Sequence, residues 1–137
     1  MPVPQDFLDS SYRYALVGAS ANEAKYGNIV FKDLRSAGLT VIPVNPKLKE
    51  LDGVPAAAAV EEIKPVPDVV VVVMPPSIGL DILRRAAAAG IKKFWFQPGA
   101  ESDEIREEIE KLGVTAMADG SCIMVARRSF GIEKTAD

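Results

Sequence analysis

The chain has 137 residues, of which 48% are hydrophobic and 26% are charged, with a formal net charge of −3. These values are typical of one folded globular domain, and the acidic balance argues against nucleic acid as a partner. No histidine is present, which excludes phosphohistidine intermediates, Ser-His or Cys-His catalytic pairs and imidazole-bound metals. No apolar run approaches the roughly 20 residues that span a bilayer. We therefore expect a single domain over residues 1–137, with its core at about 12–128, no metal site, no membrane and no nucleic acid partner.

The first part of the chain alternates strand and helix patterns. Tyr14–Gly18 has the apolar composition of a buried strand, and residues 26–37 repeat apolar positions at helical spacing before Gly38. Thr40–Asn45 predicts a second strand. Its internal Pro43 has no amide hydrogen to donate, which favours the edge of a sheet or a bend.

The alternation continues to the end of the chain. A short helix is predicted over residues 56–63, before Asp68–Met74, which is apolar at every position after the first. Such a run is typical of a strand that is covered on both faces in a parallel sheet. The next predicted elements are a helix over 77–89, a strand over 91–97, a helix between the N-cap Ser102 and Gly113, and a strand over 114–117. After Asp119 the pattern weakens, and we expect a strand or loop around Ile123–Val125.

Strands that alternate with helices of this length indicate an α/β fold. We expect a Rossmann-like open parallel sheet of about five strands, in the order 3-2-1-4-5, with helices on both faces. Five strands are too few for a barrel of eight βα units. Ligands bind open parallel sheets beyond the carboxyl ends of the strands, so the loops at that edge are the candidates for a site.

The loop after the first strand is the strongest candidate among them. Gly18 allows a tight turn, Ser20 offers a hydroxyl, and Gly27 permits close approach of a ligand to the main chain. The unpaired amides of a helix N-terminus bind phosphate groups, and Lys25 adds a positive charge. A βα turn whose small residues serve packing alone is the alternative explanation of this stretch.

The pattern does not fit NAD. The spacing of Gly18 and Gly27 departs from Gly-x-Gly-x-x-Gly, which is the dinucleotide-binding fingerprint. NAD-binding proteins place an acidic residue at the end of the second strand, where this chain has Asn45, Pro46 and Lys47. Because a lysine favours a phosphate over a bare ribose diol, the sequence predicts a phosphorylated nucleotide.

Three stretches of the chain resemble one known family. They are VGASANEAKYGNIVFKDLRSAGLTVIPVNPK, VVVVMPPS and FWFQPGAES. They look like the stand-alone CoA-binding domain family, which is similar to the N-terminal domain of the succinyl-CoA synthetase alpha subunit. The resemblance covers roughly Tyr12 to Arg128. Because the synthetases use a phosphorylated histidine and this sequence has none, the resemblance carries over binding but not ligation.

The resemblance implies a role in binding CoA for each of four loops. The first would hold the diphosphate, the second would flank the adenosine and its ribose phosphate, the third would pack against the adenine or the start of the pantetheine, and the fourth would line the path of the pantetheine arm. The residues implied, loop by loop, are Gly18, Ala19, Ser20, Lys25, Tyr26, Gly27 and Asn28, then Asn45, Pro46 and Lys47, then Met74, Pro75 and Pro76, and finally Gln97 and Gly99.

Cys122 is the only cysteine and follows the fifth predicted strand, so it is expected at the same edge of the sheet. CoA ends in a thiol, and a thiolate at Cys122 would form a mixed disulfide with it by thiol–disulfide exchange. Asp119 is expected to raise the pKa of this thiol and to slow the exchange. The alternative is that Cys122 has no redox role and packs as a small, half-buried apolar residue. A single cysteine also suits a reducing cytoplasm, where we expect the protein to act.

The sequence thus predicts a protein that binds CoA or an acyl-CoA as its cofactor and has no catalytic chemistry of its own. A carrier, a sensor and a protector of the CoA thiol all fit this description. Two alternatives stay open. One is a non-autonomous subunit of an acyl-CoA ligase or acyltransferase system, and the other is an NAD(P)-binding regulatory module.

Overall fold

The computed structural model describes residues 2–134. Residues 1 and 135–137 of the predicted domain, 1–137, lie outside the described residues. The described residues contain seven strands and four α-helices. In chain order these are β1 (Arg13–Val17), α1 (Tyr26–Ser36), β2 (Thr40–Val44), β3 (Glu50–Leu51), β4 (Val54–Pro55), β5 (Val69–Val72), α2 (Pro76–Ala88), β6 (Lys93–Phe96), α3 (Asp103–Leu112), β7 (Thr115–Met117) and α4 (Ile123–Ser129). Short 3-10 helices form at Pro4–Phe7 and Val60–Glu62, the second within the stretch predicted as a short helix.

Five of the strands form one parallel sheet in the order β2-β1-β5-β6-β7. The Rossmann-like open α/β sheet is therefore confirmed. The expected order 3-2-1-4-5 is wrong, because the five predicted strands lie in the order 2-1-3-4-5 and β5 pairs with β1. All four residues of β5 are fully buried. A strand that is apolar at every position belongs at the centre of a sheet, where helices cover both faces.

The position outside β2 is taken by the chain that connects β2 to β5. The antiparallel hairpin of β3 and β4 leads to Ala57, which lies beside the end of β2. The amide of Ala57 donates to the carbonyl of Pro43 at 2.9 Å, and its own carbonyl accepts from the amide of Asn45 at 2.9 Å. A single parallel bridge thus stands where the expected order places a whole strand. Among the strands of the sheet, β2 is at the edge, as Pro43 predicts.

The helices cover both faces of the sheet. Alternate residues of each strand point to opposite faces, and each face packs against its own pair of helices. Tyr14 and Leu16 of β1 lie in the same core cluster as residues of α1 and α4, whereas Ala15 and Val17 lie in the cluster of α2 and α3. The two clusters make the sheet a rigid platform, whose carboxyl edge carries the loops of interest.

The chain after β7 differs from the prediction of a strand or loop around Ile123–Val125, which is wrong because Ile123–Ser129 forms α4. Seven residues contain too few apolar repeats to show a helical period. Tertiary contacts specify this helix instead. Ile123 and Ala126 pack in the core beside α1, and Nε of Arg127 lies 3.1 Å from Oδ2 of Asp33 on α1. These two charged side chains are only 11% and 9% exposed, so the pair fixes α4 against α1.

Candidate functional site

The turn after β1 is shaped by two close approaches of the main chain. Gly18 has a φ of +102°, and a Cβ there would lie 2.1 Å from the carbonyl oxygen of Val73. A Cβ on Gly27 would lie 1.9 Å from the carbonyl oxygen of Gly18. The first turn of α1 therefore sits directly on the turn that ends β1. The space that Gly27 leaves open is filled by the protein's own main chain.

Two asparagine side chains hold this turn in place. Nδ2 of Asn28 donates to the carbonyl of Ser20 at 2.8 Å, and Nδ2 of Asn45 donates to the carbonyl of Ala19 at 2.8 Å. Oδ1 of Asn45 accepts from the amide of Lys47 at 2.8 Å. Because Asn45 bonds to both loops, the loop after β1 and the loop after β2 form one rigid unit.

Three clefts lie along the carboxyl edge of the sheet, and Met74 lines all of them. The α2 cleft, of about 470 Å³, lies between the ends of β1 and β2 and one face of α2. The turn cleft, of about 360 Å³, lies over residues 18–20 and the start of α1. The proline cleft, of about 370 Å³, lies between residues 73–76 and residues 98–100. Because they share a wall, the three clefts can hold one extended molecule.

Most of the predicted site residues line these clefts. The turn cleft takes Gly18, Ala19, Ser20, Lys25, Tyr26, Gly27, Asn45 and Met74. The α2 cleft takes Gly18, Asn45, Pro46 and Met74. The proline cleft takes Met74, Pro75, Pro76 and Gly99. The structure thus brings together the loops that the sequence singled out, and Met74 joins them.

Four predicted residues lie outside the lining of the three clefts: Asn28, Lys47, Gln97 and Cys122. Asn28 is 2% exposed and braces the turn from below. Lys47 is exposed and follows Pro46, which lines the α2 cleft, so its side chain starts at the rim. The other two belong to one hydrogen-bond network.

Gln97 is fully buried at the centre of that network. Its Nε2 donates to the hydroxyl of Tyr26 at 2.9 Å and to Sγ of Cys122 at 3.4 Å, while its Oε1 accepts from the amide of Ile123 at 2.7 Å. The hydroxyl of Tyr26 lies 3.3 Å from Sγ of Cys122. Burial, together with the neighbouring thiol, raises the pKa of Tyr26 to about 12. Tyr26 therefore keeps its proton near neutral pH and connects the turn cleft to the thiol.

Two opposing effects set the pKa of the Cys122 thiol. Burial raises it, but hydrogen bonds from Tyr26, from Gln97 and from amides in the first turn of α4 outweigh burial and hold the pKa below its ordinary value. The expectation that Asp119 raises this pKa is wrong. The Asp119 carboxylate instead accepts from the amide of Ser121 at 3.0 Å.

Four residues of α2 line the α2 cleft although the sequence did not single them out. Ile78, Asp81, Ile82 and Arg85 recur at spacings of three and four, which places them on one face of the helix. Nη1 of Arg85 lies 3.4 Å from Oδ2 of Asp81, and its Nε lies 3.4 Å from Oε2 of Glu61. The signal in the sequence is a pair of charges on a face that also carries Ile82, which is 4% exposed.

The chemistry of this edge is that of a binding surface. The α2 and proline clefts have mainly apolar walls, and the amides of Tyr26 and Gly27, the first two residues of α1, have no carbonyl one helical turn before them to which they can donate. Among residues 2–134, no group of three His, Cys, Asp or Glu side chains is placed to hold a metal ion. Over the same range, each helix is too short or too polar to cross a bilayer.

Comparison with known proteins assigns a family to this arrangement. Residues 12–128 match the family model described as a CoA binding domain. The chain is 32% identical over 126 residues to the uncharacterized protein YneT of Bacillus subtilis, covering 89% of this chain and 90% of that one. It is 53% identical to a conserved hypothetical protein from Pyrococcus furiosus whose structure is solved, with a TM-score of 0.80, covering 83% of this chain and 97% of that one.

A much longer protein shares the same domain. The chain is 30% identical over 110 residues to the ADP-forming acetate–CoA ligase I of Archaeoglobus fulgidus. The match covers 73% of this chain but only 16% of the ligase, so it concerns one part of that enzyme. The fold, the turn after β1 and the family match together show that the chain belongs to the CoA-binding domain family.

Proposed function

We propose that the protein binds coenzyme A or an acyl-CoA and carries out no catalytic step of its own. The observation that carries the proposal is the row of three clefts that meet at Met74. CoA is an extended molecule with three chemically different parts, namely a phosphorylated adenosine, a diphosphate and a pantetheine arm. We assign one cleft to each part.

The α2 cleft suits the adenosine. Its walls are mainly apolar, as in most pockets that take a flat base, and include Val17, Val44, Pro46 and Val60. Lys47 at the rim would supply positive charge to the ribose phosphate, which NAD lacks.

The turn cleft suits the diphosphate. The eleven-residue helix α1 begins there, and its first amides and the positive end of its dipole favour an anion. Oγ of Ser20 accepts from the amide of Asn22 at 3.1 Å, which leaves the hydroxyl hydrogen free to donate to a phosphate oxygen. Lys25 is exposed at the same cleft and adds a full positive charge.

The proline cleft suits the pantetheine arm. It is lined by Val73, Met74, Pro75, Pro76, Pro98, Gly99 and Ala100, a set with little charge and few donors. An open groove of this kind holds a flexible chain by contact rather than by specific hydrogen bonds, and it leaves the far end of the arm, with its thiol or acyl group, near solvent.

Within this function, a carrier, a sensor and a protector of the CoA thiol differ in what happens to that thiol. In the protector role, the Cys122 thiolate attacks one sulfur of CoA disulfide, forms a bond to that CoA and releases the second CoA as a thiolate. Because Cys122 lies outside the proline cleft, this step requires the arm to leave that cleft and reach the thiol beside Tyr26. The lowered pKa of Cys122 supports the step. Incubation with CoA disulfide is expected to add the mass of one CoA, reversibly with dithiothreitol, and no adduct would exclude the exchange. The lone thiol also supports a reducing compartment, the cytoplasm, as the site of action.

A second candidate function is that of a non-autonomous part of an acyl-CoA ligase system. The observation that favours it is the similarity to one segment of the Archaeoglobus ligase. Acetyl-CoA turnover with ADP and phosphate, measured with the chain alone and with a candidate partner chain, separates the two. Turnover by the chain alone would contradict the absence of catalysis, and turnover only with the partner would favour the ligase system.

Calorimetric titration tests the binding proposal directly. CoA and acetyl-CoA are expected to bind, and NAD and NADP to bind more weakly or not at all. Lys25→Ala is expected to weaken CoA binding by roughly threefold to tenfold, since it removes an exposed charge from the turn cleft. Lys92→Ala is the matched control, because Lys92 is also exposed but lies in a cleft between the ends of α2 and α3. Equal binding of NAD and CoA, or no binding of CoA, would overturn the proposal.

A further inference from the structure

The α2 cleft has a polar end that the fit to CoA does not by itself explain. Apolar residues form most of its wall, while Asp81 and Arg85 of α2 bring charge to one side. A flat base in this cleft would contact the apolar wall with its faces and would have Asp81 and Arg85 within reach of its polar edge only on the side of α2. The chemistry of this end therefore decides which base fits.

The polar end offers hydrogen-bond acceptors rather than free positive charge. Arg85 is shared by two carboxylates, since its Nη1 lies 3.4 Å from Oδ2 of Asp81 and its Nε lies 3.4 Å from Oε2 of Glu61. One guanidinium and two carboxylates carry a formal net charge of −1. Glu61 pairs with Arg85 but does not line the cleft, and its remaining oxygen, Oε1, is buried and accepts no hydrogen bond from residues 2–134, so Asp81 is the carboxylate that the cleft presents to a ligand. A phosphate is disfavoured beside this group of charges, whereas a neutral N–H donor is favoured.

We infer that the α2 cleft selects its base through the exocyclic amino group, with the Asp81 carboxylate as the acceptor. The inference rests on the proposed binding of CoA and names the specificity of its base site. The side chain of Asp81 is 66% exposed and contacts Arg85 through Oδ2, so its second oxygen is available to a ligand. Adenine presents an amino group at its six-position. Hypoxanthine presents a carbonyl oxygen at that position, which a carboxylate repels.

The same charges orient the ligand. The net negative charge at α2 directs the ribose phosphate away from Asp81 and Arg85, towards the loop after β2. In that loop Lys47 is exposed next to Pro46. Base recognition by Asp81 and phosphate attraction by Lys47 thus favour one and the same orientation of the nucleotide.

Titration calorimetry with CoA and with its deaminated analogue, which carries hypoxanthine in place of adenine, tests the inference. The wild-type protein is expected to bind the analogue about tenfold more weakly than CoA, since a hydrogen bond to a charged acceptor is replaced by repulsion. In Asp81→Ala, CoA is expected to bind about threefold more weakly than to the wild type and the analogue about threefold more tightly, because both the hydrogen bond and the repulsion are removed. The preference for adenine is then lost.

Asp103→Ala is the matched control. Asp103 is also an exposed helical carboxylate paired with an arginine, at 2.9 Å from Nη1 of Arg106, but it lies on α3 outside the three clefts. Both affinities are expected to stay unchanged in this variant. If the wild type binds CoA and the analogue equally, the inference is overturned while CoA binding stands. If neither ligand binds, both proposals fail. The wild-type comparison needs no variant, so it decides the matter even if Asp81→Ala does not fold.

Discussion

Replacement of Gly27 by alanine is expected to destabilise the protein, although alanine is the better helix former. In an ordinary helical position, the change from glycine to alanine adds about 1 kcal/mol of stability. At this position the new Cβ would lie 1.9 Å from the carbonyl oxygen of Gly18, where even 3.0 Å is closer than real Cβ atoms come. To relieve this contact, the first turn of α1 has to move about 1 Å away from the carbonyl of Gly18, and the packing of α1 in the core resists this movement.

Overpacking of this kind costs about 1–3 kcal/mol, and here the obstacle is main chain, which yields less than a side chain. The cost exceeds the gain in helix propensity, so we expect a net loss of roughly 1–2 kcal/mol. For a domain of this size that corresponds to a melting temperature lower by about 3–8 °C. Because the displaced turn also lines the turn cleft, CoA affinity is expected to fall as well.

Gly79→Ala is the matched control for this prediction. Gly79 also lies in the first turns of a helix, but a Cβ there would lie 3.5 Å from Cγ1 of Val72 and 3.7 Å from Cδ1 of Ile105, which are ordinary contacts. This variant is expected to gain about 0.5–1 kcal/mol. Urea unfolding followed by circular dichroism measures both variants. If Gly27→Ala is as stable as the wild type, close packing of α1 on the turn is not what requires glycine.

Three further predictions concern α4, the thiol and the ligand. Asp33→Ala is expected to cost about 3–5 kcal/mol in urea unfolding, because it leaves Arg127 buried without its partner. Arg128→Ala is the control, because it removes a side chain that pairs with the same carboxylate but is 63% exposed, and it is expected to cost less than about 1 kcal/mol. Equal losses of unfolding free energy in the two variants would contradict this reasoning. Tyr26→Phe removes a hydrogen bond that lowers the pKa of Cys122, so the pKa is expected to rise and alkylation by iodoacetamide near neutral pH to slow. An unchanged pH profile of alkylation would show that the hydroxyl does not stabilise the thiolate. CoA at one hundred times its Kd is expected to stabilise the fold by about 2.7 kcal/mol, whereas a melting temperature independent of CoA would speak against binding.

The sequence predicted the elements of the sheet better than their arrangement. The apolar run of β5 identifies a buried strand, because a strand that is buried on both faces has an apolar residue at every position. The run does not show which strands lie next to β5 in the sheet. The neighbour of β2 on its outer side is a single bridge at Ala57, and one bridged residue leaves no periodic pattern. The helix α4 was missed for a similar reason, since its position depends on a buried ion pair with Asp33 rather than on its own seven residues.

The candidate site shows the same division. Gly18 and Ser20 were predicted because tight turns and helix starts need particular residue types. Asp81 and Arg85 were not, because an acidic and a basic residue four positions apart also occur on any solvated helix face. The burial of Gln97 was equally hidden, since no strand pattern shows that its side chain turns back to meet the start of α4.

Met74 lines the α2, turn and proline clefts, and this affects binding measurements made with separate fragments of the ligand. A thioether side chain has several rotamers, and a ligand fragment bound in one cleft favours one of them. That rotamer then changes the shape of the other two clefts for the next fragment. Free energies measured separately for adenosine bisphosphate and for pantetheine should therefore not add up to that of the intact molecule. The discrepancy would measure how strongly one sulfur-bearing side chain ties the two halves of the ligand together.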